Sequence, residues 1–558
     1  MADNYTNLSP SMQAGDLSSA TGTLAVANGG TNSSTALSNG FFLSSQSGAI
    51  KEQPGIYVVQ PSAGGAGIQT ALDAAAAAGG GTVQLVAGTY TVSSAIVFAT
   101  DANGVVLQGI GDASVLSSTI TGAGYVIDII NGSSTNKGPY NLSNITKGDT
   151  SITTSTHSNA ANILANMTVI IQGTDADSNV WQEVNEVLTT GNGTSGVIAL
   201  KNKCKRTLTS ASIIKGIVNG RGNKIRNLKA VFASGAAHFM RADQQVGFEL
   251  ENLTLNGAGF SAQNAIDLSV YQSSVRNCRF LNWNVDEGPV VPGSPGRATY
   301  ITGVNNRIEG CLFQNCGVDG VAHASAISFQ SLWDSQIIGN TILNTNGYGI
   351  YSTSSDVKRG ILIANNNVSG SKNDGILIDG SSVTSELEIL NNDLSYNGLG
   401  AVSGCGMKVL GAYLNIVGNV CNKNLDEGIW VDTGSDQIAI TGNFCRGNSD
   451  CGIISKATNS TISGNTCESH SADAGIFVSG ANDSVITGNN CGNNKYGIYI
   501  SGTTSDVIAS GNAARSCATK ALLIDNGCSN VLSSGNNYRG GTVTLGSGTN
   551  INSINDLT

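Results

Sequence analysis

From residue 340 onward the polar and apolar positions of the chain keep a fixed phase. Asn340, Asn366, Asn392, Asn419, Asn443, Asn465, Asn489, Asn512 and Asn536 recur at spacings of 26, 26, 27, 24, 22, 24, 23 and 24 residues. Traced backwards, the frame passes through Cys311, Cys278, Leu253 and Leu228, each with hydrophobic neighbours. Two places after each Asn stand Ile342, Val368, Leu394, Cys421, Cys445, Cys467, Cys491, Ala514 and Tyr538. Side chains alternate across a strand, so these share the face of the Asn row, and that face must be the interior. A second strand opens on Gly349-Ile350, Gly375-Ile376, Gly428-Ile429, Gly452-Ile453, Gly475-Ile476 and Gly497-Ile498 and continues inward through Val431, Val478, Ile500 and Ile524. Repeats of 20 to 50 residues mark solenoids, and short strands without helices at this period predict a parallel β-helix. Inward Asn side chains fit a coil corner, where stacked amides hydrogen-bond along the axis and satisfy turn backbone. Thirteen coils at about 4.8 Å each predict a rod of about 60 Å.

Composition agrees with an all-β chain. There are 72 Gly, 7 Pro and 12% charged residues, and few strong helix formers outside IQTALDAAAAAGGG from Ile68. A net charge of −10 without any Lys/Arg cluster argues against a nucleic-acid partner. No apolar run reaches 18 residues, so no membrane insertion is expected. The start, MADNYTNLSPSMQAG, carries no basic region followed by an apolar core, so synthesis in a cytoplasm without a signal peptide is expected. Twelve Cys without a C-x-x-C pair are too sparse for a disulfide scaffold and read as reduced.

The segment GGAGIQTALDAAAAAGGGTVQLVAGTY, residues 64–90, resembles the opening of the pectate-lyase-like β-helix superfamily, with Val86 where that family usually has Pro. The resemblance implies a capping helix over the open end of the core and a right-handed coil, the hand that parallel crossovers favour. Residues 147–217 resemble the small strand-rich insertion of many phage members. GTLAVANGGTNSSTALSNG resembles the linker repeats of bacteriophage tail fibres, with Asn32 where Gly is common. The expected organisation is an attachment segment 1–54, a β-helix start with capping helix 55–146, a β insertion 147–217, regular coils 218–540 and a C-terminal strand or tail 541–558. A polar Gly/Ser/Thr stretch such as the first builds no core alone.

Three features offer chemistry. An outward row, Tyr351, Leu377, Lys408, Trp430, Ile454, Phe477, Tyr499 and Leu523, can stack on sugar rings or be covered by a second subunit; the second is favoured for Tyr351, Leu377, Ile454, Phe477, Tyr499 and Leu523. Acidic residues recur at one corner, Asp374, Asp426 with Glu427, Asp450 and Asp473; a solvated edge is favoured over calcium or a carboxylate pair. Two long connections break the period, Trp283 to Arg297 and Gly317 to Ser325. They bring Asp286, Glu287, Asp319 and His323 together as candidate acid/base groups, with Trp283, Arg297, Trp333 and Trp430 as candidate sugar-binding residues. A lone His such as His323 is more often structural than catalytic, His470 is expected exposed at a corner, and the Cys row lacks His partners, so neither a transition metal nor a cofactor is expected.

The resemblance implies a phage tailspike or tail fibre: a homotrimer on the virion tail, bound through its N-terminus to another tail or baseplate protein and recognising host surface polysaccharide. Cleavage by Asp/Glu hydrolysis is favoured over elimination because the coils hold few basic residues, Lys358-Arg359 being the one adjacent pair. A non-enzymatic adhesive fibre and a secreted polysaccharide lyase or hydrolase are the alternatives.

Overall fold

A computed structural model describes residues 41–46, 49–99, 102–120, 124–130, 137–217, 220–232, 238–257, 264–283, 297–317, 323–352, 357–378, 380, 384–400 and 404–557. From Ile56 to Ile554, apart from the insertion at 137–217, the strands stack in parallel register into a β-solenoid with three strand columns. The first column runs from Ile56–Val59 through Gly81–Leu85 and Val105–Gln108, then coil by coil to Ile551–Ile554. The second includes Arg279–Trp283, Leu312–Cys316, Thr341–Leu343 and Phe444–Arg446. The third includes Tyr125–Ile130, His238–Val246, Ile266–Tyr271, Arg297–Val304, Ser325–Trp333 and Tyr348–Ser352, and continues to Val543–Thr544.

Each coil turns from the first column into the second through a residue of positive φ, such as Asn365, Asn391, Gly418 and Gly442. L-residues resist that conformation unless they are Gly or a short polar side chain, which is why this position reads G or N down the repeat. The ladder Asn follows. In Asn443 the amide nitrogen donates to the Ile416 carbonyl (2.9 Å) and to the next rung, Asn465 Oδ1 (3.0 Å), while its backbone N–H donates to the same oxygen (2.8 Å). Every rung from Asn340 to Asn512 repeats this bonding at no more than 2% exposure. A fully satisfied polar column is compatible with burial; an unsatisfied one is not. Five residues further on a second column, Asn397, Asn424, Asn448 and Asn494, does the same at the next corner. His470 occupies the place between Asn448 and Asn494 in that column. It is fully buried, against the expectation of an exposed corner: its backbone N–H donates to Asn494 Oδ1 (2.9 Å) and its Nε2 lies 3.1 Å from the Cys445 carbonyl.

The thiols of Cys421, Cys445, Cys467 and Cys491 fill the core between the ladders, and all twelve cysteines are free and buried. Burial pushes Cys421 and Cys467 well above the ordinary thiol range. Gly64–Ala77 is the expected capping helix: Ile68, Leu72, Ala75 and Ala76, one face of the helix, are buried over the end of the core. Phe41–Gln46 and Ala49–Pro54, inside the expected attachment segment, pair as an antiparallel hairpin. Residues 541–558, expected as a strand or tail, supply the last coil through Val543–Thr544 and Ile551–Ile554.

The insertion is a six-stranded sheet with its own core, and it begins before residue 147, since Tyr140–Asn141 pairs with Thr209–Ile217. It packs on the corner where the third column leads into the first, through Val246, Tyr271, Val304 and Trp333. Arg206 of the insertion clamps Asp334 with two bonds (3.1 and 3.0 Å) and lies 3.6 Å over the Trp181 ring. Trp333, expected to bind sugar, is 4% exposed in this junction and unavailable to a ligand.

Candidate functional site

The outward row of the third column continues toward the N-terminus from the residues read in the sequence. Strand register gives Asp128, Arg241, Asp267, Tyr300, Ser328, Tyr351, Leu377, Lys408, Trp430, Ile454, Phe477, Tyr499 and Leu523, one per coil. Its first half is charged and aromatic, its second half mainly apolar.

In the charged half Arg241 grips Asp128 with two bonds (3.1 and 3.0 Å) and sits 4.6 Å over the Tyr125 ring, which stacks on His238 at 4.6 Å. Asp267 follows on the next coil. It is half-buried, and burial pushes its carboxyl above the ordinary aspartate range; Arg241 and Arg297 oppose that shift and Asp243 adds to it. Burial likewise pulls Arg297 down, and its guanidinium lies 4.8 Å over the Tyr300 ring. The Tyr300 hydroxyl donates to Gln330 Oε1. His323 Nδ1 bonds the Tyr351 hydroxyl, and the Tyr351 ring in turn lies 4.9 Å from Tyr348. The face therefore joins a carboxyl biased toward its protonated form, two guanidinium groups and a Tyr–His pair. Such a set can donate a proton to a leaving oxygen, neutralise an acidic sugar and move a proton at a ring carbon.

Of the residues expected at this site, Arg297 and His323 lie on this face. Asp286, Glu287 and Asp319 lie outside the described residues; their connections, 284–296 and 318–322, end at Arg297 and His323. Trp283 is corrected: at 1% exposure its indole N–H donates to the Leu255 carbonyl (3.2 Å) and its ring meets Phe232 edge-on, so it is core. Asp267 was missed. The alternation AIDLSV marked it as the outward polar position of a strand, but that coil lacks the Gly-Ile pair that identified the column elsewhere.

Of the residues expected at a subunit interface, Tyr351 (4% exposed), on the charged half, and Ile454 (6%), on the apolar half, are covered by their own chain and are not open to another subunit. Leu377, Phe477, Tyr499 and Leu523 are half-buried, with Phe477 stacked on Tyr499 at 4.8 Å. Trp430 is held between the ammonium groups of Lys408 (4.0 Å) and Lys456 (4.7 Å). The acidic corner is not the solvated edge expected. Asp374 and Glu427 are buried, and burial pushes their carboxyls up to about 6 and about 7. Asp426, Asp450 and Asp473 are half-buried. Donor atoms of Cys405, Asp426 and Glu427, and of Asp450, Cys451 and Asp473, come within 4.8 Å of one another. Burial and the neighbouring carboxylates push the Cys405 and Cys451 thiols up.

The family model described as right handed beta helix region matches residues 239–411 and 325–455. The chain is a right-handed parallel β-helix. A model described as periplasmic copper-binding protein (NosD) matches residues 405–541, the most regular coils. No curated protein matches the sequence. Among solved structures, the tailspike protein gp49 from Pseudomonas phage LKA1 aligns with TM-score 0.50 and 13% identity over 83% of this chain and 75% of that one. The Pseudomonas phage phi297 tailspike gp61 aligns with TM-score 0.44 and 12% identity over 84% and 73%. The periplasmic alginate epimerase AlgG aligns with TM-score 0.36 and 13% identity over 60% and 75%. At these identities the likeness is one of fold, and the β-helix carries unrelated sites. No helix among the described residues is long and apolar enough to cross a membrane.

Proposed function

We propose that this β-helix is a phage tailspike or tail fibre that binds host surface polysaccharide and cleaves it on the charged half of the third column. The observation that carries the reading is the placement of Asp267 between Arg241 and Arg297, beside Tyr300 and the His323–Tyr351 pair, on an outward sheet face flanked by the two longest departures from the coil period. The tail-fibre-like stretch GTLAVANGGTNSSTAL supports the virion assignment, with residues 1–54 as the part that attaches to the tail or baseplate. The half-exposed row Leu377, Phe477, Tyr499 and Leu523 supports a homotrimer that covers the apolar half and leaves the charged half to solvent.

Two guanidinium groups and a Tyr–His pair on one face favour an acidic polysaccharide and make elimination a stronger reading than the basic-residue count alone allowed. Incubation with host capsule and lipopolysaccharide tests this. New reducing ends without unsaturated uronate absorbance identify hydrolysis; both together identify elimination. Asp267→Asn and Arg297→Ala should each abolish the product. Full activity in both variants would remove the site from this face, and binding without any product would leave the adhesive-fibre reading.

A further inference from the structure

On the second strand column, away from the charged face, lies a groove of about 800 Å³ lined by Asn367, Asp393, Tyr396, Lys423, Phe444 and Arg446 among others. It crosses the coils from Leu343 to Ser469, about 24 Å along the axis at the usual strand spacing. Two of its features are ones that the fold itself does not require.

The first is Tyr396, whose φ is 62°. It stands in the column of positive-φ residues that ends each second-column strand, where the next coil places Lys423 (φ 52°) and the others Asn344, Gly370, Gly447, Ser469 and Asn493. A bulky side chain is a genuine outlier in that conformation, where Gly or Asn would be easier. The ring is also 51% exposed, so packing does not repay the strain. Small residues at Gly370 and Gly447 leave space on either side of Tyr396 and Lys423, whose ammonium lies 5.3 Å from the Tyr396 ring. The second is Phe444, a strand residue with 37% of its surface exposed in the same groove.

We infer that this groove is a second glycan site, which holds a chain of pyranose units by stacking on Tyr396 and Phe444. Aromatic rings present an apolar face to the C–H face of a sugar, and Asp393, Asn367 and Asn422 offer hydrogen-bond partners for its hydroxyls. Lys423 and Arg446 extend recognition to acidic units. The coil that carries Tyr396 also departs from the pattern in a way the period conceals. Its connection from Asp393 to Met407 is long, while the return from Val409 to Ala412 is short, so the spacing from Asn392 to Asn419 stays at 27 residues. A lengthened connection beside aromatic side chains is the arrangement also found at the charged face.

The inference rests on the polysaccharide reading and separates from it by experiment. Full-length protein is titrated calorimetrically with hexasaccharides of pyranose units, both neutral (glucan and chitin) and acidic (polyuronate), in wild type, Tyr396→Asn, Tyr396→Phe, Phe444→Ala and Asp267→Asn. Tyr396→Asn places in the positive-φ position the residue that tolerates it best, so the fold is kept while the ring is removed. At least one hexasaccharide should bind, Tyr396→Asn and Phe444→Ala should each weaken it tenfold or more, and Tyr396→Phe should bind as wild type. Asp267→Asn should lose cleavage of host glycan and keep this binding. Failure of every hexasaccharide to bind, or unchanged binding in Tyr396→Asn and Phe444→Ala, overturns the groove and leaves the charged face standing. Cleavage by Asp267→Asn overturns the charged face and leaves the groove.

Discussion

The buried acidic corner predicts that replacing Glu427 by Gln stabilises the protein, and increasingly so as pH rises from 4.5 to 7. The side chain is 3% exposed; Cys405 Sγ donates to Oε2 at 3.1 Å, and Asp426 and Asp450 oppose its ionisation. Asp374 and Lys408 complete the charged surroundings of this corner. The carboxyl titrates at about 7 in the fold against an ordinary 4.5. A group raised in the folded state contributes stability that is full below the unfolded value and is lost as pH rises through the folded one. The contribution of Glu427 is therefore complete below pH 4.5 and gone above 7, a difference of about 3 kcal/mol. Gln keeps the acceptor for Cys405 and never ionises. Urea unfolding of wild type and Glu427→Gln at half-unit steps from pH 4.5 to 8 should give coincident midpoints at pH 4.5 and an advantage for the variant that grows up to about pH 7 and then levels off. Parallel midpoints across the range would show that Glu427 is solvated, and the buried-corner account would fail.

Asn465→Ala removes the bonds from Asn443 N–H and Nδ2 and the bond to the Ile440 carbonyl, leaving buried groups unsatisfied. A loss of about 3–6 kcal/mol is expected in urea unfolding, and a loss below about 1 kcal/mol would deny the ladder its role. Burial lowers the His470 pKa, so its neutral form is the one the fold holds, and stability should fall as pH drops below the unfolded value of 6.5. His470→Asn restores the column of amides and should flatten that acid limb, read as the difference from wild type between pH 5 and 7. Asp334→Asn breaks the two-bond clamp from Arg206. The insertion should then become sensitive to limited proteolysis within 137–217 at protease levels that leave wild type intact.

The coils were legible because every turn repeats the same demands: Gly or Asn at the positive-φ corner, Asn behind it, and a small apolar residue two places on. Even the cysteines followed from this, since a thiol in that row only fills space. The second amide column was equally available, five residues after the ladder Asn392, Asn419, Asn443 and Asn489, and it places His470, five after Asn465, indoors without any structure. What the pattern did not yield was exposure. Trp283 reads as the first residue of a functional connection, yet it is the last of a regular strand, and its ring fits the core beside Gly257, where a Cβ would meet the indole at 3.2 Å. Outward rows looked uniform as letters, whereas Tyr351 is covered by residues of neighbouring coils and Tyr396 is not. The acidic corner failed for the same reason, because a sequence shows which charges are stacked and not how much water reaches them.

The two candidate sites share a logic that the regular coils make visible by contrast. A solenoid coil satisfies its backbone through the coils above and below, so any residue that its ladder and core do not require is free to vary. Connections between the second and third columns are lengthened at 284–296, at 318–322 and between Asp393 and Met407, and beside them stand side chains that a bare coil has no use for: Asp267 between two guanidinium groups, His323 against Tyr351, and Tyr396 at positive φ. Beyond Ile429 these connections are short, the outward row turns mainly apolar, and the sequence returns to its tightest period. Regularity thus coincides with surface suited to burial between subunits, and irregularity with surface suited to a ligand. The groove on the second column runs across this division, since Phe444 and Arg446 stand on coils of the tight period.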